Sequence, residues 1–256
     1  MKAFKILVSG LVFLALISGC QEDEEKSDKF VPPGSLTGQK SIEKFKVALY
    51  NKDEISVGYN SFFVHVVDTI ANSPVLDATM TIKAVIPGKT NSLAPFEETK
   101  VSTSSQVYYN GLIIDVATND SVRRAIQVSF FVPGIQKQLV VEIPVVVKKS
   151  SRLDIQKRFI VSMVSPLKPK FGRNFFEFAT YYVAGGYPVM KGFTSKFQLV
   201  SPNETVLPAE SGTEITQAGH YTHSFELNTQ GVWTVNFSLM EGTNVYMTST
   251  YYVIID

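Results

Sequence analysis

Cysteine is almost absent from this chain. Its 256 residues contain one, Cys20, so no disulfide can staple the fold within a single copy. Histidine is nearly as scarce, at three residues, which leaves little imidazole for acid–base or metal chemistry. An excess of either charge is missing too. The formal net charge is +1 with no basic run, which removes the electrostatic case for binding nucleic acid. The chain has no Gly-x-Ser-x-Gly, no phosphate-cradling glycine loop and no His-Glu-x-x-His. Acid–base work would therefore fall to carboxylates such as Asp68, Asp115 and Glu226, which are candidates by residue type alone. The expectation is a protein that is not an enzyme and carries no cofactor or metal.

What is present begins at the N-terminus. Lys2 and Lys5 precede an apolar run from Ile6 to Ile17, and the small residues Ser18 and Gly19 follow, the order of a secretory signal peptide. The run is too short for a bilayer span, which needs about 20 apolar residues. Ile17-Ser18-Gly19-Cys20 resembles the bacterial lipobox, so residues 1–19 read as a lipoprotein signal and Cys20 as the lipidated residue. Lipid on Cys20 implies a membrane anchor and accounts for a lone cysteine in an exported chain. Gln21, Glu22, Asp23, Glu24 and Glu25 resemble the signal that sends Bacteroidota lipoproteins to the cell surface. The localisation implied is the outer membrane, facing outward. Residues 20–40 read as a flexible acidic tether.

The chain is 45% hydrophobic, enough for a core, and its body alternates with period two. Met80, Ile82, Ala84 and Ile86 share one face of a predicted strand; Leu139, Val141, Ile143, Val145 and Val147 share another. Trp233, Val235, Phe237 and Leu239 do the same. No stretch of helical length has a 3.6 period. A repeat is also legible. One constant shift carries Phe45-Lys46-Val47-Ala48-Leu49 onto Phe159-Ile160-Val161-Ser162-Met163, Gly58 onto Gly172, Asn60 onto Asn174 and Pro74 onto Pro188. Further on, Ile126 to Phe130 match Trp233 to Phe237. Gly-x-Asn reads as a bend before the second strand, since both residues tolerate positive φ, and Pro-Val-Leu/Met as the opening of a third strand. The fold class expected is all-β: two tandem immunoglobulin-like antiparallel sandwiches, residues 41–150 and 156–256. The polar stretch from Lys148 to Arg158 marks the junction.

The spacing around Gly58-Tyr59-Asn60-Ser61-Phe62-Phe63-Val64, with Asp68, Pro74 and Ala78, resembles the FixH-like and YtkA-like β-sandwich domains. Taken whole, residues 41 to 256 resemble two-domain Bacteroidota lipoproteins that carry this unit twice. That resemblance implies a copper-handling role through a loop rich in methionine and histidine. Here the corresponding loop, Ala84 to Pro95, has neither, and nor does Ser201 to Pro208. The copper function is therefore not carried onto these residues, and a metal-handling envelope protein stands as an alternative reading.

The remaining ligand-like residues have ordinary roles available. His220 and His223 lie three apart in a predicted strand, so their side chains leave opposite faces and cannot chelate one ion. His223 is expected in the core or at its rim, with His220 and His65 solvated. Met80, Met163, Met190 and Met247 read as core filler. Tyr108-Tyr109, Tyr181-Tyr182 and Tyr251-Tyr252 each place one ring outward if the strand is regular. Tyr108, Tyr181, Tyr252 and His220 are the candidates for facing a ligand, such as a sugar or a partner protein in the outer membrane. The reading reached is a non-enzymatic, surface-displayed lipoprotein acting as a binding or accessory module, with carbohydrate binding as a further alternative.

Overall fold

The computed structural model describes residues 30–88, 94–119, 121–215 and 218–256, and every regular element within them is a strand. Residues 1–19, Cys20, the cluster Gln21 to Glu25 and Lys89 to Leu93 of the ligand-poor loop lie outside the described residues.

The first half contributes β1 (Ser35–Ile42), β2 (Phe45–Asn51), β3 (Gly58–Asp68), β4 (Ser73–Pro74), β5 (Thr79–Val85), β6 (Lys100–Ser102), β7 (Val107–Ile114), β8 (Arg124–Phe131) and β9 (Gln138–Val145). One sheet runs β1-β2-β3-β7-β6, with β4 beside β3, and the facing sheet runs β5-β8-β9. The second half contributes β10 (Leu153–Ile155), β11 (Phe159–Ser165), β12 (Gly172–Tyr182), β13 (Thr194–Val200), β14 (Glu210–Ser211), β15 (Thr213–Ile215), β16 (His220–Leu227), β17 (Gly231–Glu241) and β18 (Asn244–Ile255). Its sheets run β10-β11-β12-β16-β15 and β14-β13-β17-β18. Pairing between these strands is antiparallel, and each half is an immunoglobulin-like β-sandwich.

Period two places the cores. Ile82, Leu139, Val141 and Ile143 bury inward in the first sandwich, and Trp233, Val235, Phe237 and Leu239 in the second. Met80, Met163, Met190 and Met247 are buried as well. Each main core draws on its own half alone. A third, smaller apolar cluster joins the halves: Ile113 from β7 packs with Ile160, Ala179 and Tyr181 from β11 and β12.

The repeat survives as hydrogen bonds. Asn60 accepts from Ser56 N at 3.1 Å and donates to Ser56 O and Gly58 O, both at 2.8 Å. Asn174 accepts from Lys170 N at 2.9 Å and donates to Lys170 O at 2.6 Å and Gly172 O at 2.9 Å. The shared amide ties the incoming loop to the start of β3 and β12. Only the glycine of each Gly-x-Asn has positive φ, 108° at Gly58 and 90° at Gly172. The asparagines are buried strand residues, which corrects the expectation of a two-residue bend.

Two further expectations are corrected. Ser35 to Lys40, read as the end of a tether, form most of β1, paired with β2. Their sparse apolar content hides a strand that is held by its backbone ladder and by Thr37 Oγ1 donating to Asn51 Oδ1 at 2.6 Å. Pro-Val-Leu/Met does not open the third strand. Pro74 folds back on Val67, and Val189 bridges Tyr181, while the next strands start at Thr79 and Thr194.

Candidate functional site

The polar chemistry of this fold gathers where the two sandwiches meet. Along β12, Asn174, Phe176, Phe178 and Thr180 face the second core, so Glu177, Ala179 and Tyr181 face out. On β16 the same alternation turns Tyr221 inward and His220 outward. Because β12 pairs with β16, Glu177 and His220 share the outer face. The first sandwich supplies Tyr59 at the start of β3 and Glu97 from the segment leading to β6.

His220 lies between two carboxylates. Its Nδ1 is 2.6 Å from Glu177 Oε1 and its Nε2 is 2.7 Å from Glu97 Oε1. Ionised carboxylates only accept, so both ring nitrogens must donate, which requires the imidazolium. Burial alone would pull the imidazole pKa down. Hydrogen bonds and attraction from Glu177 and Glu97 outweigh it and push the group up to about 9. Burial likewise opposes charge on Glu97, yet the bonds to His220 and Tyr59 hold its carboxyl below the usual 4.5. Tyr181 donates to the same Glu97 oxygen at 3.3 Å. The Tyr59 ring meets His220 edge-on, with centroids 5.3 Å apart. Burial first, and Glu97 second, keep the Tyr59 and Tyr181 hydroxyls protonated.

A second polar knot lies on the linker. Arg152, buried, donates to Ser56 Oγ at 2.6 Å and to the carbonyls of Tyr59 and Met163 at 3.4 Å. Ser162 Oγ accepts from Tyr59 N at 2.8 Å and donates to Arg152 O at 3.1 Å. The linker is thus pinned to both halves, helped by Val57 N donating to Lys148 O.

Several expected exposures are corrected. His220 is 7% exposed rather than solvated, because the first sandwich covers the outer face of β16 at this position. His65 is also buried, its Nδ1 2.6 Å from Gln106 O. Tyr108 is a core residue whose hydroxyl accepts from Ala78 N at 2.8 Å, and Tyr109 is the outward member of that pair. Tyr181 is 1% exposed and lies in the junction. Tyr252 does face solvent, at 60% exposure, while Tyr251 turns inward and donates to Val161 O. His223 sits at the core rim, against Phe225 and Phe197, with Nε2 2.9 Å from Glu210. Asp68 pairs with Lys44 and Asp115 with Arg124, so these carboxylates serve separate local contacts, and Glu226 is exposed on β16. Among the described residues no group of three or more His, Cys, Asp or Glu side chains is placed to hold a metal ion.

Glu97, Glu177, Tyr59 and Arg152 were not identified from sequence. One signal was available: the outer face of β12 reads Glu177-Ala179-Tyr181, too small and apolar for a wet face.

A groove of about 630 Å³ opens beside this junction, walled by Met163, Pro166, Leu167 and Tyr252 to Ile254. Lys52, Lys149 and Lys168 stand around it.

No protein-family model matches the chain, and no curated protein matches it either. Similar solved structures include Salmonella alpha-2-macroglobulin reacted with methylamine, at 11% identity and TM-score 0.30, covering 86% of this chain and 15% of that one. A DUF4785 family protein from Legionella pneumophila is 9% identical with TM-score 0.32, covering 84% of this chain and 58% of that one. Parabacteroides merdae beta-glucuronidase is 10% identical with TM-score 0.24, covering 83% and 25%. The chain therefore spans less than two thirds of the length of each, and similarity at this level transfers no activity.

Proposed function

We propose that this chain is a non-enzymatic lipoprotein, anchored through lipid on Cys20 at the outer membrane and displayed at the cell surface, where it acts as a binding or accessory module. The observation that carries this reading is the placement of the sole cysteine directly after an apolar run and two small residues. The acidic residues Glu22 to Glu25 support outward display, by their resemblance to the Bacteroidota surface-export signal. The likeness to tandem FixH-like and YtkA-like lipoproteins supports the two-domain arrangement without bringing their copper chemistry. The main titratable cluster favours a scaffold over a catalyst. Both nitrogens of His220 are occupied by carboxylates from opposite sandwiches, so the group joins domains instead of offering a free acid or base.

Fractionation tests the anchor. Cys20→Ala should move the protein from the membrane pellet to the soluble fraction, because a lipid chain is the proposed membrane-seeking element. An alanine variant that still pellets after a salt wash removes the reading.

A further inference from the structure

The two sandwiches differ at one edge, which is covered by packing in the first and left bare in the second. In the first sandwich β1 runs beside the free edge of β9. The approach is so close that a Cβ on Gly38 would lie 2.7 Å from Ile143 Cγ2. The second sandwich has the same register but not the same cover. Gln39 pairs with Ala48, and Leu153 pairs with Ser162, the repeat partner of Ala48. The counterpart of Gly38 is therefore Arg152. Likewise Ile143 faces Ile126 and Val253 faces Trp233, so Val253 is the counterpart of Ile143.

Residues 149–152, which correspond to the first half of β1, line the same groove as Tyr252 to Ile254 without a backbone hydrogen bond to β18. Arg152 is drawn into the junction by Ser56, Tyr59 and Met163, and β10 is only three residues long. Among the described residues, the side-chain hydrogen bonds between the β10 segment and β18 fall at Thr248 and Ser249. Gln156 donates to Thr248 O at 2.8 Å, and Ser249 donates to Asp154 at 2.7 Å. Beyond Ser249 the groove takes the place that the start of β1 fills in the other copy.

The open edge has a defined hydrogen-bonding face. Thr248 O points away from β17, since it accepts from Gln156. Residues alternate, so the N–H and C=O of Thr250, Tyr252 and Ile254 also point outward. Among the described residues β18 pairs with β17 alone. Opposite them lie Met163, Pro166 and Leu167, an apolar floor for alternate side chains of an incoming strand. The charge at the rim is one-sided. Glu54 is already paired with Lys148, and Asp53 lies beside Arg152. Exposed Lys149 and Lys168 have no carboxylate partner among the described residues, and Lys52 rests on the Phe63 ring.

We infer that the slot beside β18 takes an extended, acidic peptide segment of a partner protein, paired to the outward backbone of β18 in the space that the start of β1 covers by packing in the first sandwich. This deepens the binding-module reading and rests on it. Backbone pairing with Thr250, Tyr252 and Ile254 supplies affinity, and the lysines select an acidic segment.

The test uses the full chain and two fluorescently labelled peptides of about eight residues. One alternates Val with Glu, and the other alternates Val with Lys. The Glu peptide should raise anisotropy at concentrations where the Lys peptide does not. Lys149→Glu with Lys168→Glu should weaken it about tenfold or more. Tyr252→Pro removes one outward N–H at an edge, where proline is tolerated, and should also weaken binding about tenfold, with the unfolding midpoint of each variant reporting that the fold persists. Equal binding of both peptides, or binding unchanged by the lysine and proline variants, overturns the proposal. So does a dimer of the unmodified chain that Tyr252→Pro abolishes, since a second copy would then own the edge. If neither peptide binds, the acidic-strand slot is wrong, while the Cys20→Ala fractionation still decides the anchored reading by itself.

Discussion

The two sandwiches share a frame but not a filling. The first core is largely aliphatic, with Val47, Leu49, Val64, Ile82, Ile126 and Val128 around Phe45, Phe62 and Phe130. The second is built from rings. Phe178 stacks on Phe237 at 4.7 Å and meets Tyr251 at 4.9 Å and Phe197 at 5.7 Å. By the repeat, Phe178 occupies the place of Val64. What is kept between the copies is the Gly-x-Asn clamp and the strand register, because these settle backbone geometry. Core side chains can change together as long as each interior stays filled. Duplication thus preserves backbone devices more faithfully than it preserves cores.

The sharpest way to break this comparison is to cut the same position in both cores. Phe178→Ala should cost about 4 kcal/mol, since it removes a whole ring from the centre of a stacked cluster. Val64→Ala should cost about 2 kcal/mol, having fewer atoms to lose. Chemical denaturation with tryptophan fluorescence and far-ultraviolet dichroism gives both values, and Trp233 reports from the second sandwich. Equal losses would mean that the second core does not depend on its rings.

The junction comes next in size. Replacing His220 by Gln leaves Glu97 and Glu177 without their shared cation and should cost about 3 kcal/mol. The effect should fall on the coupling of the two halves, so calorimetry should show one transition separating into two. A single, merely lowered transition would place the coupling elsewhere, in Arg152 or the apolar cluster. The pH dependence has a definite sign. The His220 pKa rises on folding from 6.5 to about 9, so its stabilisation is complete below 6.5 and is lost as pH climbs through about 9. Glu97 is held below 4.5, so its share is present above that value and fades as pH falls. Thermal stability should therefore be greatest between those limits, and His220→Gln should flatten the alkaline decline.

The smallest effect sharpens the repeat itself. Asn60→Ala and Asn174→Ala each remove one amide that makes three hydrogen bonds to a loop, and each should cost about 1.5 kcal/mol. Denaturation midpoints that differ strongly between the two would show that one copy has found another way to hold its loop.

The sandwich fold was readable without coordinates, because inward positions such as Leu139, Val141 and Ile143 must be apolar for a sheet to bury one face. The repeat was readable for a similar reason: glycine at positive φ in Gly58 and Gly172, with its clamping asparagine, is a local requirement. β1 was hidden, since a strand held by backbone pairing and few buried side chains has little pattern to show. Alternation also told that His220 leaves the opposite face from His223, but not what covers that face. Side-chain parity is a property of one strand. Whether an outward face meets water or another sheet depends on how two folded units pack, and no residue of β16 carries that information. Only the tertiary structure decided that Glu97, distant in sequence, completes the His220 clamp, and that drawing Arg152 into the junction leaves the edge of β18 bare.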